Sequence, residues 1–125
     1  MNHYFFDYSR TYNPAAPVVQ VTLRTRHGAS DRLSAFLDTG ADGTIVPLTI
    51  LRQIGARYND KRNLFGATGA GQLVGLYPIH VQIGTQLVYG INAAGYGNEV
   101  IIGRDVLNQI TVILEGPIGI CEIRI

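Results

Sequence analysis

Short runs of alternating apolar and polar residues, interrupted by glycine, proline and small polar clusters, commit this chain to strands. Val19, Val21 and Leu23 alternate with Gln20, Thr22 and Arg24, the period of two that buries one face of a strand and leaves the other wet. The cluster His27-Gly28-Ala29-Ser30-Asp31 turns the chain, and Leu33 to Leu37 brings it back. Composition agrees: 14 Ile and 10 Val supply β-branched side chains, and 15 Gly supply tight turns. Helical spacing occurs in two short places, Leu48, Leu51 and Ile54 between Pro47 and Gly55, and Val106, Leu107 and Ile110. The expectation is an all-β domain with one or two short helices.

Further strands are expected at Thr44 to Val46, Lys61 to Phe65, Gln72 to Leu76, Tyr77 to Ile83, Gln86 to Ala93 and Val100 to Gly103. Ile110 to Leu114 and Gly119 to Ile125 read as a terminal hairpin around Glu115-Gly116-Pro117. At 125 residues the chain forms one domain. Residues 1–16 stand apart as an arm carrying Tyr4, Phe5, Phe6, Tyr8 and Tyr12, followed by the domain at residues 17–125. Packing of the arm on its own domain is favoured over packing across a subunit interface, where aromatics are also enriched.

Charge and ligand chemistry remove several function classes. The net charge of +1 gives no broad field for nucleic acid or anionic membrane. One cysteine, Cys121, and three scattered histidines make neither a disulfide nor a metal site. The amino terminus lacks a basic segment followed by a long apolar run, and no run of 18 apolar residues occurs, so a cytoplasmic protein is expected. Gly66 and Gly71 have the spacing of a phosphate loop, but Gln72 and Leu73 stand where Lys and Ser/Thr are required. No third glycine completes a dinucleotide fingerprint after Gly69-Ala70-Gly71, and no Gly-x-Ser-x-Gly elbow is present. No cofactor is expected.

What remains is Asp38, a carboxylate placed directly after the apolar strand Ala35-Phe36-Leu37. Such a group is either satisfied by backbone amides or used in catalysis. Asp38-Thr39-Gly40, preceded by Phe36-Leu37 and followed by Ala41-Asp42, resembles the signature of the aspartic proteases, specifically the single-domain retropepsins. A glycine-rich hairpin and then Ile101-Ile102-Gly103-Arg104, with Leu107 downstream, follow in family order over roughly residues 18–114. The resemblance implies a closed, retropepsin-like β-barrel with a glycine-rich flap, acting as an aspartic endopeptidase on peptide or protein substrates. The last eleven residues look more like cellular and bacterial members than viral ones.

The chemistry gives the signature an independent rationale. Metal-free attack of water on a peptide carbonyl needs one carboxylate as base and a second, protonated, as acid. Only one Asp-Thr-Gly is present, so a homodimer must bring two copies of Asp38 together. By resemblance, Thr39 ties the two loops together, Gly40 donates to Asp38 and lets substrate approach, and Asp42 and Arg104 form a pair that braces the loop. Ile101, Ile102 and Gly103 form the psi-loop strand, while Gly66, Gly69, Ala70 and Gly71 belong to the flap. Ala41 stands where pepsin-like enzymes carry a hydroxyl, which implies a raised apparent pKa for the dyad. Ala70 replaces the large apolar residue of the viral flap tip. Asp105 reads as a first-turn carboxylate favoured by the helix dipole. The competing reading is a catalytically silent dimerisation or peptide-binding module. An autoprocessing domain is disfavoured by the initial Met and the absence of obvious flanking sequence.

Overall fold

The structure is a computed structural model of the 125-residue chain and describes residues 1–65 and 71–125. In chain order the elements are β1 (His3–Asp7), β2 (Val18–Thr25), β3 (Gly28–Ala29), β4 (Leu33–Leu37), β5 (Ile45–Val46), α1 (Leu48–Gln53), β6 (Asp60–Phe65), β7 (Gly71–Ile83), β8 (Gln86–Gly95), β9 (Val100–Ile102), α2 (Arg104–Leu107), β10 (Thr111–Glu115) and β11 (Ile120–Arg124). The expected all-β architecture is present. Strands β2, β4, β9, β5, β8 and β7 lie side by side in that order, and pairing of β2 with β7 closes them into a six-stranded mixed barrel. Closure removes the free edges that would otherwise invite aggregation.

Alternation puts Val19, Val21 and Leu23 inside, each no more than 1% exposed, together with Ala35, Val46, Val81, Ile83 and Ile102. Each such aliphatic side chain contributes about 1.5–3 kcal/mol through burial. Helix α1 covers the barrel with Leu51 and Ile54 and turns at Gly55. Helix α2 adds only Val106 to the buried set and is a single turn, the second of the short helices expected. The segments Gln72 to Leu76 and Tyr77 to Ile83, read as separate strands from sequence, are one 13-residue strand. Its first half pairs with β6, its second half with β2 and β8, so pairing carries the chain through Pro78 without a turn.

A second, three-stranded sheet has β11 at its centre, flanked by β1 and β10. Tyr4, Phe6 and Tyr8 of the amino-terminal segment pack against the core beside buried Cys121 and Ile123. The alignment follows the register, in which Tyr4 faces Ile123 and Phe6 faces Cys121. Glycine is required at Gly84: its φ is 58°, and a Cβ there would lie 2.0 Å from Tyr4 Cε1. Tyr12 stacks at a tilt on Phe36 and donates to Glu99.

Candidate active site

Asp38 owes its position to parallel pairing between β4 and β9. The register Ala35↔Val100, Phe36↔Ile101, Leu37↔Ile102 sets the ends of the two strands side by side, and β5 pairs with the far edge of β9. The segment joining β4 to β5 must therefore loop around the end of β9. Asp38 N–H donates to Ile102 O at 3.0 Å, which locks the first loop residue onto that strand. Beyond it the loop folds back on itself: Gly40 N–H donates to Asp38 Oδ1 at 2.8 Å, and Ala41 N–H donates to Asp38 O at 3.2 Å. A carboxylate accepting an oriented amide is held in one rotamer. Asp38 is half-buried, while Thr39 and Gly40 are exposed.

Gly103 makes the close approach possible. A Cβ at that position would lie 2.5 Å from both Gly43 C and O and 3.0 Å from Ala41 O, all backbone atoms. Its N–H donates to Thr44 Oγ1 at 3.2 Å. Thr44 is fully buried and passes its own hydrogen bonds to Asp105, Oγ1 to Oδ1 at 2.7 Å and N–H to Oδ2 at 3.0 Å. Asp105 also accepts from Val106 N–H at 2.9 Å. The first-turn role expected of Asp105 thus covers only part of its contacts, since the carboxylate also bolts the loop to α2. Nothing in the sequence singled out this network: Thr44 read there only as the first residue of a short strand.

The expected Asp42–Arg104 pair is replaced by two other contacts. Arg104 N–H donates to Ala41 O at 2.8 Å, which starts its side chain beside the loop, and its Nη1 donates to Thr39 O at 2.8 Å. Arg104 still braces the loop, through a carbonyl adjacent to Asp38. Asp42 instead forms an ion pair with Arg62 of β6. Gly43 leaves room for that guanidinium, since a Cβ there would sit 3.2 Å from Arg62 Nη1. Nothing in the local sequence of β6 singled out Arg62.

Ile101 and Ile102 lie in β9 as expected, with Ile102 fully buried. Strands β6 and β7 pair from Asp60↔Leu76 to Phe65↔Gly71, so Gly71 ends the described hairpin. Gly66, Gly69 and Ala70 lie outside the described residues. No group of three or more His, Cys, Asp or Glu side chains fit to hold a metal occurs among the described residues. Cys121 is buried and its thiol is pushed up to about 11 by desolvation, which leaves it a packing residue. No helix among the described residues is long and apolar enough to cross a membrane.

The family model for retroviral aspartyl proteases matches residues 13–115, and the chain belongs to that family. Among solved structures it is similar to a retropepsin-like aspartic protease from Rickettsia conorii, with a TM-score of 0.66, 10% identity, and coverage of 97% of this chain and 89% of that one. The EIAV protease in complex with an inhibitor gives a TM-score of 0.57 at 19% identity over 75% of this chain and 86% of that one. The retroviral protease-like domain of Ddi1 from Leishmania major gives 0.51 at 17% identity over 82% and 84%. At these identities the likeness is one of fold. No curated protein matches the chain by sequence.

Proposed function

We propose that this chain is an aspartic endopeptidase that works as a homodimer, each subunit contributing Asp38. The observation that carries the reading is the Asp38 carboxylate itself: half-buried, oriented by Gly40 N–H, on a loop locked to β9 and braced by Arg104. One such loop supplies half of an acid–base pair, so the site is completed by a second copy. In the dimer the two carboxyls share one proton because both cannot readily ionise at close range. The ionised Asp38 takes a proton from water as the oxygen attacks the scissile carbonyl, and the protonated Asp38 gives its proton to the carbonyl oxygen. Collapse of the resulting diol transfers a proton to the departing amine. Thr39, exposed beside Asp38, ties the two loops together.

The β6–β7 hairpin serves as the flap, to which the family resemblance assigns Gly66, Gly69, Ala70 and Gly71, and holds an extended peptide by backbone hydrogen bonds. Residues 1–16 act as an arm on the domain formed by residues 17–125, and the protein works in the cytoplasm without a cofactor. The test is incubation of the wild type and Asp38→Asn with an unbiased peptide library across pH, reading new termini by mass spectrometry. Cleavage by the wild type that disappears in the variant, with specific activity falling on dilution below the dimer dissociation constant, is the expected result. Identical peptide profiles would leave a silent peptide-binding or dimerisation module.

A further inference from the structure

Away from the Asp38 loop, a cavity of about 650 Å3 opens where the β2–β3 turn, the chain leaving α1, and strands β7 and β8 meet. Among the described residues, four basic side chains line it, Arg26, His27, Arg57 and His80, and no carboxylate does. In a chain with ten Lys+Arg and nine Asp+Glu, this is a local separation of charge. Arg24, Arg62, Arg104 and Arg124 are each tied to an acceptor. The guanidinium groups of Arg26 and Arg57, both exposed, have no hydrogen-bond or ion-pair partner among the described residues. The same is true of Arg10, Arg32 and Arg52, but only Arg26 and Arg57 line this cavity.

The cavity is also a fixed frame. Thr25 Oγ1 donates to Ile54 O and accepts from His27 N–H at 3.1 Å, which ties the turn bearing Arg26 to the end of α1 bearing Arg57. Pro78 and Ile91 add apolar surface to the lining, and Asn92 a neutral polar group. Volumes of this order accommodate a small organic molecule. Arg26 and Arg57 come from separate segments and line the same cavity, and a guanidinium fork suits the tetrahedral oxygens of a phosphate, with which arginine bonds bidentately.

We propose that this cavity binds a phosphorylated small molecule, its phosphate held by Arg26 and Arg57 and its organic body resting on Pro78 and Ile91. The site is independent of the Asp38 chemistry, and proteolysis is not needed to detect it. Calorimetric titration of the full chain with ATP, inorganic tripolyphosphate and citrate, alongside thermal shift, tests it directly. ATP is expected to bind saturably and more tightly than tripolyphosphate, with citrate weaker than either. Arg26→Gln and Arg57→Gln should each weaken ATP binding about tenfold, the loss of one charge-assisted contact. The double variant should lose it, whereas Arg10→Gln, outside the cavity, should bind as wild type does. Far-ultraviolet circular dichroism and melting without ligand keep a folding defect distinct from lost binding. Absence of saturable binding up to about 5 mM, a range that still reports millimolar sites, overturns the proposal. So does undiminished binding in the folded double variant, and equal affinity for ATP and tripolyphosphate removes the organic contact from it.

Discussion

Thr44 and Asp105 stand 61 residues apart in the chain and are joined by two hydrogen bonds, from the threonine hydroxyl at 2.7 Å and its amide at 3.0 Å. The same hydroxyl accepts from Gly103 N–H. One buried side chain therefore links the loop of Asp38, the end of β9 and the first turn of α2. Thr44→Val keeps the shape and removes the hydroxyl, leaving Gly103 N–H and one Asp105 oxygen without that partner. A stability loss of about 1–3 kcal/mol is expected, the cost of leaving buried polar groups unmet. Thr44→Ser should recover most of it. Urea unfolding of the three proteins measures the difference, and equal midpoints would show that the network is not stabilising.

Gly103→Ala tests close packing rather than hydrogen bonding. The added methyl would lie 2.5 Å from the Gly43 backbone, and backbone cannot rotate away as a side chain can. Overpacking of this kind costs about 1–3 kcal/mol or more. The strain falls on the loop carrying Asp38, so turnover should fall further than the melting temperature does. Normal turnover with normal melting would mean that the loop relaxes freely.

Arg104→Lys and Arg104→Ala separate stability from activity. Arg104 is exposed and its fork reaches a carbonyl instead of a carboxylate, so stability should change by about 1 kcal/mol or less. Turnover should fall clearly, because Thr39 O sits beside Asp38 and a lysine ammonium does not reproduce the planar fork. Peptide cleavage and urea titration on the same samples provide the two readouts. A large stability loss with turnover intact would reverse the assignment.

Acid sensitivity is expected at the terminal sheet. Glu122 is held below the usual glutamate range first by its hydrogen bond to His3 and then by Arg124, which together outweigh desolvation. Because its folded-state pKa is depressed, this contribution is fully present above the unfolded pKa. It disappears as pH falls from the ordinary glutamate value through the lowered one. Glu122→Gln should flatten the pH dependence of melting across that acidic window and lower melting above it, where the contribution is otherwise fully present; an unchanged pH profile of melting would show that the group does not contribute. Salt should weaken the contribution only in part, since His3 and Arg124 are partly exposed while Glu122 itself is buried.

Side-chain period was enough to find β2, β4 and the terminal hairpin, because one-sided burial writes itself into adjacent residues such as Val19, Val21 and Leu23. Asp38 was legible for the opposite reason: a charge directly after an apolar run breaks the pattern. Partner choice was not legible. Whether Arg104 meets Asp42 or Thr39 O depends on where its backbone is pinned by Ala41, and Arg62 reaches Asp42 only because β6 folds over Gly43. The continuity of β7 through Pro78 was likewise hidden, since β2, from a distant part of the chain, takes over the edge that β6 leaves while β8 pairs along the other.

The pairing of β1 with β11 has a topological consequence. Asn2 and Ile125 exchange backbone hydrogen bonds at 2.9 and 3.0 Å, so the chain is already a nearly closed ring held by a noncovalent clasp. A short glycine-serine bridge between the ends could cyclise it without displacing a strand, and new ends could then be opened at an exposed turn such as Gly97-Asn98. Any segment fused to either end would leave from the same corner of the molecule, so two different fusions would compete for one exit.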